Sequence, residues 1–281
     1  MRIWDCHCHA RGDEKGAAVL RAMDKAGVER INLFSRYPWP KGKDWGGPYG
    51  PGAHADPKIV RACIDHVAKV QAADPSRIFG MIWVEPRSPG VVDEIERGIQ
   101  DKGLRGIKLI PDRWFPYDEM MFPIYRKMEE LRKPIMFHAG IVYGFADSSR
   151  YCMPVGYECL LNFPKLRFSL AHIAWPWVDE CLAVYGSFRA AAGWDKGRTR
   201  MFIDTCRGTP DAWRTDALRK AIPFVEGDHL MFGVDGSPSN LATKAPEHVQ
   251  MDMSILSEVI GVSKAQLELY FWGGCEKFMT A

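Results

Sequence analysis

Strand-type runs alternate with helical runs eight times along the 281 residues, and this rhythm constrains the fold more than any single motif. Apolar, β-branched runs predict strands over 3–9, 29–34, 77–84, 106–110, 134–138, 166–172, 200–204 and 229–234. Helical sequence is predicted over 15–26, 56–73, 89–102, 118–131, 154–163, 176–185, 211–221 and most of 247–280. Dividing 281 by eight gives about 35 residues per unit, the length of a βα repeat with its loops. Alternating β and α elements imply a parallel sheet. No GxGxxG or GxxxxGK loop follows any predicted strand, which removes the usual reason to prefer a doubly wound open sheet. The expected fold is α/β, a single-domain TIM-type (β/α)8 barrel over 1–281. A long loop rich in Pro, Gly and aromatics (37–55) follows strand two, 186–199 reads as an insertion, and extra helices close the chain.

Composition narrows the function class. Apolar residues at 47% and charged residues at 26% are ordinary for a globular chain, and a net charge of +2 offers no electrostatic case for nucleic acid or an anionic membrane. No run approaches the roughly 18 apolar residues of a membrane span. Met1-Arg2 leads directly into the first predicted strand, which leaves no room for a signal peptide, so a cytoplasmic location is expected. Eight cysteines are scattered without a framework spacing and read as reduced packing residues. The expected partner is a small-molecule substrate, with a homodimer left open.

Chemistry concentrates at the predicted strand ends. In Asp5-Cys6-His7-Cys8-His9, strand alternation puts Asp5, His7 and His9 on one face and Cys6 and Cys8 on the other. Two imidazoles about 7 Å apart along a strand can grip one ion if the strand end is twisted. A knuckle using all four Cys and His residues fails, because alternating side chains cannot close one tetrahedral shell. The cysteines are therefore expected to pack between barrel and helices, and a pair of ordinary buried histidines is the competing reading. His138 ends strand five, His172 ends strand six and Asp235 follows strand eight. In a parallel barrel all these ends meet on one face, where active sites form. Each alone reads as a rim or turn residue; their shared position favours a metal site.

The ordered set resembles the amidohydrolase superfamily. Its local wording is closest to the amidohydrolase-related branch, which includes aminocarboxymuconate-semialdehyde decarboxylase, γ-resorcylate decarboxylase and related lactonases and hydratases. Besides the HxH pair, the matching stretches are Asp74-Pro75-Ser76-Arg77-Ile78-Phe79-Gly80, Gly106-Ile107-Lys108-Leu109, Pro123-Ile124-Tyr125 with Pro134-Ile135-Met136-Phe137-His138-Ala139-Gly140, Phe163-Pro164-Lys165-Leu166-Arg167-Phe168 with Ala171-His172, Phe232-Gly233-Val234-Asp235 and the closing Phe271-Trp272-Gly273-Gly274-Cys275-Glu276-Lys277-Phe278. Departures occur at Gly236-Ser237-Pro238, where the branch often has an aromatic and a proline, and at Ile173-Ala174-Trp175, where two glycines are common.

The resemblance implies that His7, His9, His138 and Asp235 hold one divalent metal ion, with zinc the first expectation. It implies His172 as general acid/base with a pKa near working pH, and Asp235 as a second proton acceptor. A second metal would recruit His172 as a ligand. Lys108 is either a carboxylated metal bridge, a group facing an anionic substrate or a plain ion-pair partner. Asp5 is expected to orient a ligand histidine. Arg36, Arg113 and Arg207 each follow a strand and are candidates for clamping a substrate carboxylate. Trp39, Trp45, Tyr49 and His54 would wall the pocket. The leading function is a metal-dependent hydrolase of a small polar or carboxylate-bearing substrate, with metal-activated water as nucleophile. The alternatives are a non-oxidative decarboxylase of an aromatic or enoic acid, with His172 protonating carbon, and a metal-independent lactonase or hydratase.

Overall fold

The computed structural model describes residues 1–38, 56–143, 147–195, 197–225 and 227–280. The expected pocket residues Trp39, Trp45, Tyr49 and His54 lie outside them. Eight strands form one sheet in sequential order, all neighbours parallel. They are β1 (Trp4–His9), β2 (Arg30–Phe34), β3 (Ile78–Trp83), β4 (Gly106–Leu109), β5 (Ile135–Phe137), β6 (Phe168–Leu170), β7 (Met201–Asp204) and β8 (Leu230–Met231). The chain is a TIM barrel. Its last seam is thin, because β8 has only two residues. Two backbone bonds join β1 to the segment just after β8, Cys6 N–H to Phe232 O at 3.0 Å and His9 N–H to Gly236 O at 2.8 Å. The Asp5 carboxylate adds a third link by accepting from Val234 N at 2.9 Å while also holding His7 N at 3.0 Å.

Helices α1 (Gly16–Ala26), α2 (Pro57–Gln71), α3 (Val91–Gln100), α4 (Phe122–Leu131), α5 (Val178–Ala191) and α6 (Asp211–Val225) return the chain between strands. Each presents an apolar face, such as Val60, Ile64, Val67 and Val70 of α2, to the outer surface of the strands. Two expectations change here. The first part of the segment 186–199 is helix: Tyr185 and Phe188 are buried, and α5 continues through them to Ala191. The helix expected at 154–163 is a 3-10 helix, Pro154–Asn162, in a stretch where Pro154 and Gly156 weaken the α-helical preference. After β8 come α7 (Leu241–Ser254), α8 (Lys264–Glu268) and α9 (Gly274–Thr280), with π-helical turns at Ile255–Ile260 and Leu269–Gly273. Among the described residues no helix is long and apolar enough to cross a membrane.

A register skip in β1 departs from simple alternation. Asp5 pairs with Ile31 but Cys8 with Leu33, so three steps on β1 match two on β2. Adjacent Cys6 and His7 consequently both face inward. Cys6 packs with Trp4, Phe34, Met81, Met136 and Phe202 inside the barrel, whereas Cys8 joins the outer core with Val19 and Met23. The two cysteines therefore do not share the layer between barrel and helices. All eight cysteines are free thiols, and only Cys159 is not buried.

An ion pair is sealed between α6 and α7. Arg214 donates to both oxygens of Asp252, from Nε at 2.5 Å and from the terminal nitrogen at 2.6 Å. Tyr270 donates to Asp252 at 2.7 Å, and its hydroxyl lies 2.7 Å from Thr205 Oγ1. This network reaches the C-terminal end of β7.

Candidate active site

The bulge in β1 aims His7 and His9 at the mouth of the barrel, where Asp235 arrives just after β8. His7 Nε2 lies 3.1 Å from His9 Nε2 and 3.6 Å from Asp235 Oδ1, and His9 Nε2 lies 3.3 Å from the same oxygen. Tetrahedral ligands held about 2.1 Å from an ion stand about 3.4 Å apart. The opposite ring nitrogen of His7 meets Asp204 Oδ2 at 2.5 Å. An ionised Asp204 puts the proton on His7 Nδ1 and leaves Nε2 bare, the usual carboxylate–imidazole support of a metal ligand. One proton among three atoms so close cannot satisfy every contact, whereas one cation can. The donor set fits a divalent metal, with two imidazole nitrogens and a carboxylate oxygen.

His172 and His138 form the next layer. His138 Nε2 faces Ile141 O at 3.0 Å, and its Nδ1 lies 3.2 Å from His172 Nε2. His172 Nδ1 is 3.1 Å from Cys206 Sγ, and that sulfur is also 3.1 Å from His7 Nδ1. The site is thus a continuous set of rings and carboxylates, in which His7, His172, Cys206 and Asp235 lie close enough to hold an ion. The backbone at His172, Ile173 and Ala174 is left-handed at three successive residues (φ 62°, 49° and 51°), which β-branched Ile173 adopts only under surrounding constraint. Above these groups opens a cavity of about 1000 Å³, lined among others by His9, His138, His172, Asp235, Arg36 and Arg207.

An amidohydrolase family model matches residues 4–278, nearly the whole chain. The chain belongs to the amidohydrolase family. This amidohydrolase is 24% identical over 208 residues to a 2-keto-4-carboxy-3-hexenedioate hydratase from Sphingobium sp.. That alignment covers 62% of this chain and 57% of the relative, so it spans little more than half the relative's length. Its fold is similar to that of 5-carboxyvanillate decarboxylase from Novosphingobium aromaticivorans with bound manganese, at TM-score 0.67 and 16% identity, covering 93% of this chain and 80% of that one. It is also similar to an amidohydrolase from Burkholderia multivorans with bound zinc, at TM-score 0.61 and 16% identity over 99% of both chains.

Burial dominates the electrostatics of this amidohydrolase site. It lowers the pKa values of His7 and His9, and that of His138 further with help from the neighbouring His172. His172 is pushed down to about 4, mainly by burial, against the opposing pull of Asp235. This imidazole is therefore neutral at working pH, below the value the sequence suggested. Burial also opposes ionisation of Asp204 and Asp235, but the adjacent imidazoles outweigh it and hold both carboxyls below their ordinary range. Neutral rings beside ionised carboxylates are the protonation state a bound cation requires.

The remaining candidates separate. Arg36 and Arg207 line the cavity, while Arg113 does not. Arg207 is already engaged, with Asp211 and His248 each at 2.7 Å. Lys108 is fully buried inside the barrel, its Nζ 3.5 Å from His7 Nε2, and burial lowers its pKa. It faces the donor set from below and does not line the cavity. Asp5 holds backbone amides, and it is Asp204 that supports the His7 ring. Sequence reasoning missed Asp204 and Cys206. Asp204 ends β7 just as His138 follows β5, so the strand-end criterion applied once more would have found it.

Gly208 gives His172 its place. A Cβ at this position would stand 2.3 Å from His172 Cγ and 2.4 Å from its Nδ1. Gly208→Ala is expected to displace the imidazole and lower turnover by about 100-fold, the scale of a misplaced reacting group. Steady-state kinetics with a thermal melt check this; unchanged turnover in a folded variant would show that His172 needs no such seat.

Proposed function

We propose that this chain is a metal-dependent hydrolase of a small polar or carboxylate-bearing substrate, using water as the nucleophile. The observation that carries the reading is the triangle of His7 Nε2, His9 Nε2 and Asp235 Oδ1, with edges of 3.1 to 3.6 Å, at the base of a cavity of about 1000 Å³. His7, His9 and Asp235 would hold a divalent ion, which would supply a lowered pKa for a bound water and polarisation of a substrate oxygen. Asp204 keeps the His7 ring in the tautomer that offers Nε2. Asp235 takes the proton of the attacking water on a carboxylate oxygen, and the His172 imidazole relays a proton to the leaving atom. Arg36 and Arg207, both on the cavity wall, are the candidates to meet an anionic group on the substrate, Arg207 by exchanging its contact with Asp211.

Hydration of an activated double bond is a second reading, supported by the hydratase relative. It uses the same water and differs in where the proton ends. Elemental analysis of the purified chain is expected to find about one equivalent of zinc or manganese per protomer. Chelation should abolish turnover on a panel of lactones, amides and unsaturated di-acids, and either ion should restore it. Labelled-water incorporation separates hydrolysis and hydration from decarboxylation, which releases carbon dioxide instead. Full activity in metal-free protein would overturn the proposal.

A further inference from the structure

The opposite end of the barrel carries a pattern the active site does not use. A basic residue stands within two positions of the start of each of the first seven strands. The first three have ring or carboxylate partners, and the fourth, Arg105, has a longer contact with the Phe79 ring at 5.6 Å. Arg2 lies on the Trp272 ring at 4.2 Å, and Arg30 lies between Trp4 and Trp272 at 4.8 and 4.7 Å with Glu276 at 3.7 Å. Arg77 pairs with Asp24 at 2.8 Å.

The other four, Arg105, Lys133, Arg167 and Arg200, open the consecutive strands β4 to β7. Backbone bonds tie their positions together: Ile135 N–H reaches Arg167 O and Phe168 N–H reaches Arg200 O, both at 3.0 Å, while Ile107 N–H reaches Pro134 O, beside Lys133, at 3.1 Å. Adjacent strands are about 4.8 Å apart, so the four cations start along an arc of about 15 Å. Among the described residues none of the four has a carboxylate within 4.0 Å. None is fully exposed either. Arg167 is only 6% exposed, and the Nε atoms of Arg105 and Arg167 are buried without a hydrogen-bond partner. The groups act on one another: after burial, Arg200 is what lowers Arg167, and Arg105 and Arg167 are what lower Lys133. Buried guanidinium groups that repel each other are costly unless an anion joins them.

We propose that Arg105, Lys133, Arg167 and Arg200 form an anion site at the closed end of the barrel that takes a small multivalent oxyanion of the phosphate type. Several cations on one arc suit a ligand carrying more than one charge. The depth of Arg167 suits a small tetrahedral ion, whose oxygens enter where a side chain on a folded partner would be stopped by its own backbone. Planar guanidinium groups match such oxygens in pairs. The site is separate from the metal donors and stands whether or not the proposed reaction is correct.

Calorimetry and thermal melts of the intact protein test it, with inorganic phosphate as probe and ionic strength held constant with sodium chloride. Phosphate is expected to bind saturably and raise the melting temperature. Arg200→Gln and Arg167→Gln should each weaken binding at least tenfold. Arg167→Gln should also melt no lower than the parent without phosphate, because it removes an unpaired buried charge. Arg207→Gln, at the cavity, should leave phosphate affinity unchanged. Loss of binding in Arg207→Gln with retention in Arg200→Gln would assign the ion to the cavity and overturn the proposal. So would a melting shift that chloride reproduces at equal ionic strength.

Discussion

Asp235→Asn is expected to lower turnover by about 10²–10⁴-fold, the range associated with a lost acid–base group, and to drop metal content below one equivalent. The variant isolates charge from shape. Asp235 has a left-handed backbone (φ 51°), and asparagine is the side chain that best tolerates that conformation after glycine. The substitution leaves the loop after β8 as it is and exchanges a carboxylate oxygen for a neutral amide. His7 and His9 then face each other with no anion between them and Lys108 still 3.5 Å from His7. Elemental analysis, kinetics and a thermal melt on the same preparation check the expectation. A folded variant with full metal content and parental turnover would remove Asp235 from both roles.

The second large effect concerns stability. Asp252→Ala is expected to cost about 3–5 kcal/mol, because it strands a buried charge. Arg214 is 3% exposed and Asp252 is sealed completely, so water cannot replace the lost carboxylate. Tyr270 loses its acceptor at the same time. Replacing both partners, Arg214→Leu with Asp252→Leu, should recover most of the loss, because no unpaired charge remains. Urea unfolding of the parent, the single variant and the double variant measures this. A single-variant loss below about 1 kcal/mol, the scale of exposed pairs, would show that water reaches the pair.

The barrel was legible because helix and strand periods are local. A run such as 77–84 carries its own signature, and eight such runs leave few topologies to choose between. The strand-end histidines were legible for a related reason, since a parallel barrel gathers every strand end on one rim. What stayed hidden depends on register. The bulge in β1 has no marker within Asp5-Cys6-His7-Cys8, yet it turns Cys6 inward and brings His7 onto Asp204. The tautomer of His7 then rests on a residue almost 200 positions away. The position of Arg207 just after a strand is visible in the sequence, but its engagement by Asp211 and His248 is a tertiary fact that no local window contains. The same holds for the burial that makes His172 neutral.

The thin seam has a consequence of its own. Strand β1 and the segment just after β8 share two backbone bonds and the Asp5 link, and they carry the three donors, His7 and His9 on one side and Asp235 on the other. Whatever draws those atoms together also buckles the first strand to the last. An ion held by these three atoms would tie the first strand to the turn beyond the last, so filling the site would also tighten the hoop.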